Sequence, residues 1–217
     1  MTILARLGGV ALGLACMITA AHAVDADQVR LDPNTNKGQF QTVYGKALPP
    51  IGFVEMCARE PKECQALGGK AVHLSLSPER WNLVYQVNTF VNGKIAPMSD
   101  EELYGKPEYW TFPTDAGDCE DYLLLKKRYL EGLGFPSEAL LITVVLDEKN
   151  QGHAVLTVTT DKGDFVLDNR RNDVLRWNNT GYTYLKRQSS EDPKVWMSLN
   201  RKAPADSGNV AAGAAKK

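Results

Sequence analysis

An excess of basic charge, long apolar runs beyond the first residues and an abundance of histidine are all missing from this chain, and each absence closes off a class of function. Its 217 residues carry 25 Lys and Arg against 26 Asp and Glu, a net charge of −1. No basic field draws in nucleic acid, and no polybasic cluster anchors the chain to an anionic membrane. Beyond residue 23, no stretch is apolar for the roughly 20 residues that a bilayer span needs. No internal repeat recurs, which excludes a solenoid or propeller. Only 4 cysteines and 3 histidines are present. A chain with so few bases can build a thiol or imidazole site in few places.

The first 23 residues read as a secretory signal segment. Arg6 is their only charge, an apolar stretch runs from Leu7 to Ala21, and Ala21-His22-Ala23 fits the small-x-small cleavage pattern. Cys16 does not fit a lipoprotein cysteine, because Gly13 stands where a Leu-like residue belongs. Cleavage removes Arg6 and moves the net charge from −1 to −2. Residues 24–202 are then one domain, long enough for a proper core. The Ala/Gly-rich segment 203–217 is expected to be disordered. The chain is expected to be periplasmic or secreted, with no membrane span after signal cleavage and no nucleic-acid partner.

An oxidising compartment bears on the cysteines. Cys57 and Cys64 stand seven apart and read as a short loop disulfide. Zinc is the competing reading, but no second close pair accompanies them. Cys119 is left unpaired, and an odd thiol in an exported protein calls for an explanation. It lies in Gly117-Asp118-Cys119-Glu120-Asp121-Tyr122, directly ahead of a helical run from Leu123 to Leu130. At a helix start, backbone N–H groups and the macrodipole favour the thiolate, which is a nucleophile. The carboxylates beside it push the other way, and a cation is one candidate to offset them.

A nucleophilic thiol needs a base. His22 falls in the signal segment, leaving His73 and His153. His153 opens the β-patterned run His153 to Thr160, a turn follows at Asp161-Lys162-Gly163-Asp164, and Phe165 to Asn169 reads as the returning strand. A four-residue loop over 160–163 sets Thr159 opposite Asp164 and Val155 opposite Asp168. His153 and Asp168 then share a face as diagonal neighbours, about 7–8 Å apart at Cα. The other face carries Ala154, Leu156, Val158, Phe165 and Leu167, a core face. The register that buries the apolar side chains thus also keeps His153 beside Asp168, and a slip by one residue would part them. The result is a Cys-His-Asp arrangement: Cys119 at a helix start, His153 as base, Asp168 as orienting acid. His73 has no acid on an obvious neighbouring strand and reads as structural or surface.

Elsewhere, 24–50 reads as an extended arm with a short strand, and 51–76 as a helix or turn holding the cysteine pair. Ser77-Pro78 starts a helix over about 78–92 that Asn92-Gly93 ends. A Pro- and aromatic-bearing connection follows over 93–117. The Cys119 helix spans about 118–133, with Gly134 at its end, and Leu140 to Leu146 reads as a buried strand. Trp177 to Leu185 and Val195 to Leu199 suggest further strands, with 170–182 as a loop. Helices followed by an antiparallel sheet make an α+β domain. Trp81, Trp110 and Trp177 read as core, with Trp110 the one placed at a cleft rim.

The order of these residues carries a resemblance. Trp81 with Asn88 and Asn92, Tyr109-Trp110, the segment Gly117 to Tyr122, His153-Ala154-Val155-Leu156 and Val166-Leu167-Asp168-Asn169 are similar to the bacterial transglutaminase-like cysteine peptidase family, which includes LapG-type periplasmic adhesin proteases. The likeness covers roughly 75–175. It implies a papain/transglutaminase-like fold, with Cys119 as nucleophile, His153 as general base and acid, and Asp168 orienting His153. It also implies Ca²⁺ held by Asp118 and Glu120, with Asp121 a further candidate. No organic cofactor is expected. The Cys57/Cys64 segment departs from the adhesin proteases and marks a distinct branch. The expected function is an exported cysteine peptidase acting on a cell-surface protein. The rivals are acyl transfer to an amine, as in transglutaminases, and a non-catalytic exported binding module. The alternative for the acids is a purely structural one, as helix N-terminal acids that favour the dipole without any metal.

Overall fold

The computed structural model describes residues 39–201, apart from 67 and 69. The expected signal segment over 1–23, the first part of the arm and the tail over 203–217 lie outside the described residues. In chain order the elements are β1 (Lys46–Ala47), α1 (Ile51–Arg59), α2 (Pro78–Lys94), β2 (Ala96–Pro97), α3 (Asp100–Tyr104), β3 (Ala116–Gly117), α4 (Cys119–Gly132), β4 (Leu140–Leu146), β5 (Gly152–Thr160), β6 (Gly163–Asp168), β7 (Arg171–Arg176), β8 (Thr183–Gln188) and β9 (Trp196–Ser198). Apart from β1, the helices precede the strands of the large sheet, as the α+β expectation required. Seven strands form one antiparallel sheet in the order β1-β9-β8-β4-β5-β6-β7, and β2 pairs in parallel with β3.

Local chemistry sets the helix limits. The Ser77 side chain caps α2 by accepting from the Arg80 N–H, and Pro78 occupies the first helical position, where its missing donor costs nothing. The helix does not stop at Asn92-Gly93. It runs to Lys94, because the Ile95 N–H still reaches the Val91 carbonyl and the Ile95 side chain is buried beyond it. Cys57 on α1 is bonded to Cys64 in the 3₁₀ turn Pro61–Cys64.

α4 packs on α2 and on β5, so most of its circumference is buried, from Cys119 through Lys126 and again at Leu130. The main core gathers Leu123, Leu130, Leu140, Ile142, Ala154, Leu156, Val158 and Leu167. Phe165 meets the Trp81 ring of α2 edge-on. These include the five residues that parity assigned to the core face. A second, smaller cluster of Val145, Val155, Val166, Tyr182 and Tyr184 covers the reverse face.

The hairpin register is the expected one, with Thr159 opposite Asp164 and Leu156 opposite Leu167. Its loop is shorter than expected: Thr160 still pairs with Gly163, leaving Asp161-Lys162 as the turn, and Gly163 takes a φ of +113° that favours glycine. Part of the segment read as a loop over 170–182 is strand β7. Its Arg171, Asn172, Asp173 and Arg176 carry no apolar alternation because β7 is an edge, where charged side chains face water and discourage further pairing.

Leu156 is fully buried at the centre of the main core. Leu156→Ala is expected to cost about 3 kcal/mol through lost burial and a residual cavity. Urea unfolding should show a lower midpoint at unchanged slope, and a loss below about 1 kcal/mol would contradict this packing.

Candidate active site

β3 delivers the chain into α4 through Gly117-Asp118-Cys119. A Cβ at Gly117 would meet the Asp121 carboxylate at 2.6 Å, so only glycine lets that side chain fold back over the helix start. Asp118 is the N-cap residue but caps with no side-chain hydrogen bond. Cys119 is the first residue of α4, buried, and the free cysteine among the described residues. Its thiol donates to Glu120 Oε2 at 3.1 Å, and the Ala154 N–H of β5 also faces the sulfur.

His153 near the start of β5 and Asp168 at the end of β6 meet at 2.9 Å between Nε2 and Oδ1, with side chains 1% and 2% exposed. Because Nε2 faces the carboxylate, a neutral imidazole keeps its proton there and leaves the Nδ1 lone pair free. Nδ1 is buried and has no hydrogen-bond partner. Asp168 Oδ1 also accepts the Arg170 N–H, while Oδ2 accepts the Tyr182 hydroxyl at 2.6 Å. Burial works against ionisation of Asp168, but His153, Tyr182 and the Arg170 N–H together hold it well below the usual carboxylate range. Two asparagines of α2 pin the turn behind it. Asn92 donates to the carbonyls of Asp168 and Arg171, and Asn88 to those of Arg171 and Asn172.

Cys119 and His153 line the same cavity, of about 290 Å³. Pro97 and Met98 give it an apolar wall, and Glu102 and Arg170 supply charge of both signs. Arg170 is fixed by Asp147 at 2.7 Å, which lowers the Asp147 carboxyl to about 2.

Beside the thiol the structure concentrates acid. Ligand atoms of Asp100, Asp118 and Asp121 lie within 4.8 Å of one another, and so do those of Asp118, Cys119 and Glu120. Asp100 Oδ1, Asp118 Oδ1, Asp121 Oδ2 and Glu120 Oε1 are buried without a partner. Asp100 and Asp121 each accept a backbone N–H, from Tyr109 and Thr111 respectively. Burial, reinforced by the other acids, pushes Asp121 up to about 8, Glu108 to about 7 and Asp118 to about 6. Burial and the charges of Glu120 and Asp118 likewise push the Cys119 thiol up. Unpartnered carboxylate oxygens converging from Asp100, Asp118 and Asp121 fit a hard divalent cation, which takes oxygen ligands.

Of the residues singled out as metal candidates, Asp118 lies with Asp121 in one group and with Glu120 in the other, where Glu120 also accepts from the thiol. Asp100, which joins Asp118 and Asp121, is not among them. Asp100's only sequence signal is its place in the first turn within the Ser99/Glu102 capping box, a feature common to many helix starts. Trp110 does not lie at the cleft rim: it is 0% exposed, packs edge-on against Phe53 and donates to Glu108 Oε2. Gly52 makes this possible, since a Cβ there would strike the indole at 2.4 Å. His73 is exposed and its ring stacks near Phe40, in keeping with a surface role. Tyr182, which the sequence suggests only as part of a strand, lies just ahead of β8.

Residues 43–204 match a family described as bacterial transglutaminase-like cysteine proteinase. No curated protein matches the chain. Among solved structures, calcium-bound LapG of Legionella pneumophila is similar at 22% identity over 73% of this chain and 94% of that one, with a TM-score of 0.46. The EGTA-treated form of the same protein is similar at 23% identity over 70% and 87%, with a TM-score of 0.45.

The raised carboxyls predict a pH dependence. Unfolded, these groups titrate near 4; folded, they hold their protons to about 6–8. Their contribution to stability is therefore complete below about pH 4 and is lost as pH rises through the folded values. Lys126, lowered by burial to about 7, contributes in the opposite direction only above that pH. With divalent cations chelated, the melting temperature should fall between about pH 5 and pH 7, and Asp121→Asn should flatten the fall. A wild-type profile that is level or rising over that range would contradict the burial of unneutralised acids.

Proposed function

This chain belongs to the bacterial transglutaminase-like cysteine proteinase family, and on that premise we propose that it is a peptidase whose catalytic residues are Cys119, His153 and Asp168. Cysteine-peptidase activity and a transglutaminase-like fold come with the family. The assignment of roles rests on one observation above others: a buried His153 Nδ1 without a partner, in the cavity that Cys119 lines.

In this reading the thiol turns from Glu120 towards Nδ1, which takes its proton. Sulfur attacks the peptide carbonyl, and the Cys119 backbone N–H, at the start of α4, donates to the developing oxyanion. The imidazolium returns its proton to the leaving amine. Water, activated by the same nitrogen, then hydrolyses the thioacyl-enzyme. Asp168 holds Nε2 throughout, so Nδ1 stays directed at the reacting atoms.

Asp100, Asp118 and Asp121 are the residues that would hold Ca²⁺, with Glu120, which groups with Asp118 and accepts from the thiol, a further candidate. Bound there, the ion supplies positive charge that offsets the acids and lets the thiolate form. The Cys57–Cys64 disulfide favours a periplasmic or secreted setting, where such bonds persist. The substrate in this reading is a protein at the cell surface.

Cys119→Ala is expected to abolish peptide-bond cleavage of an added cell-surface extract while leaving the melting temperature unchanged; full residual turnover would exclude Cys119 as nucleophile. Supplying a labelled primary amine separates hydrolysis from transfer, and incorporation of label into the cleaved fragment would overturn hydrolysis as the main outcome. Calcium should raise the melting temperature of the wild type by mass action, and Asp118→Asn should abolish the rise. No rise in the wild type would count against the metal site.

A further inference from the structure

We propose that Tyr182 is a positioning residue for the His153–Asp168 pair, holding the carboxylate with its hydroxyl and the imidazole with its ring. The proposal rests on the catalytic reading of that pair. Tyr182 belongs to the segment between β7 and β8, just ahead of β8.

A carboxylate held through one oxygen can still turn about its terminal torsion, which is broad. At Asp168 both oxygens are engaged. Oδ1 accepts from His153 Nε2 and from the Arg170 N–H. Oδ2 accepts the Tyr182 hydroxyl at 2.6 Å, with Arg171 Nε at 3.6 Å. The phenol therefore fixes the plane of the carboxylate, and with it the direction in which Oδ1 meets the imidazole. A hydroxyl donating to a charged acceptor is among the stronger hydrogen bonds available for this.

The ring acts on the other partner. It lies edge-on to His153, with centroids 5.5 Å apart and planes at 82°. Rotation of the imidazole, which would carry Nδ1 away from the cavity, drives it against this ring. Tyr182 is itself well anchored. Gly181 before it takes a φ of +81°, its own N–H donates to Thr180 Oγ1, and that hydroxyl is shared with Tyr184. The groups that set the local field are His153 on β5, Arg170 and Arg171 at the β6–β7 turn, Lys126 on α4 and Tyr184 on β8.

Iodoacetamide alkylation of Cys119 tests this without a known substrate. The rate is followed against pH on the disulfide-intact protein in calcium-containing buffer. Tyr182→Phe keeps the ring and removes the hydroxyl; it should slow alkylation near neutral pH about tenfold, the effect of one hydrogen bond to a charged group, and shift the profile to higher pH. Tyr182→Leu removes both contacts and should slow it further. In an Asp168→Asn background, Tyr182→Phe should add little, because the hydroxyl acts through that carboxylate. A merely structural role would lower the melting temperature and leave the profile in place. Wild-type rates and profile in Tyr182→Phe, while His153→Ala slows alkylation, would overturn the role of Tyr182 alone. An unchanged rate in His153→Ala would overturn the catalytic pair and the proposal with it.

Discussion

The register of one hairpin governs the rest of this molecule. Leu156 stands opposite Leu167; three residues before the one and one residue after the other, His153 and Asp168 come within hydrogen-bonding distance. Successive strand side chains alternate faces, so a slip of one residue would bring apolar side chains out of the core and part the imidazole from its acid. The energy that prevents the slip is ordinary burial: Ala154, Leu156, Val158 and Leu167 close against α4. The geometry of the His153–Asp168 pair is thus maintained by side chains buried on the other face of the hairpin. The asparagines of α2 add directional control, since Asn88 and Asn92 tie the β6–β7 turn to the helix by side-chain donors.

Much of this was legible because it is local or periodic. The strand Leu140–Leu146, the Ser77-Pro78 helix start, the Cys57–Cys64 pair and the hairpin register each leave a signature within a few residues, and each appears in the structure. The misses are non-local. Asp100 joins Asp118 and Asp121 only because the β2–β3 pairing brings the start of α3 beside the start of α4. Trp110 is buried because a glycine distant in sequence, Gly52, vacates the space it fills. β7 has no alternation to read, since an edge strand has one side in water. Tyr182 contacts a carboxylate that lies 14 residues earlier in the chain, and an aromatic ahead of a strand carries no mark of such a contact.

The acids at the start of α4 and the pair at the hairpin make opposite demands on the thiol. In the proposed reading, the His153 imidazole, held with Nδ1 open, draws the proton off sulfur. Buried carboxylates beside the sulfur keep it there, because a second anion in a desolvated space is costly. Without a cation the acids themselves stay partly protonated, as the raised Asp121, Glu108 and Asp118 carboxyls indicate. The cluster is a poor environment for a thiolate and a good one for a divalent ion, and both properties have the same origin.

Asp118 belongs to both groups of ligand atoms, with Asp100 and Asp121 on one side and with Cys119 and Glu120 on the other. In the proposed reading this sharing couples the two sites thermodynamically. Positive charge placed on the aspartates favours the thiolate, and by reciprocity the thiolate favours the charge. The coupling needs no conformational relay, since the shared residue is the N-cap of the helix that Cys119 begins. What the helix start alone would do for a thiol, through its dipole and free N–H groups, is too weak to outweigh several buried carboxylates, because the dipole amounts to roughly half a charge. In the proposed reading, a bound divalent cation supplies the positive charge that lets the helix start act in the direction its geometry favours.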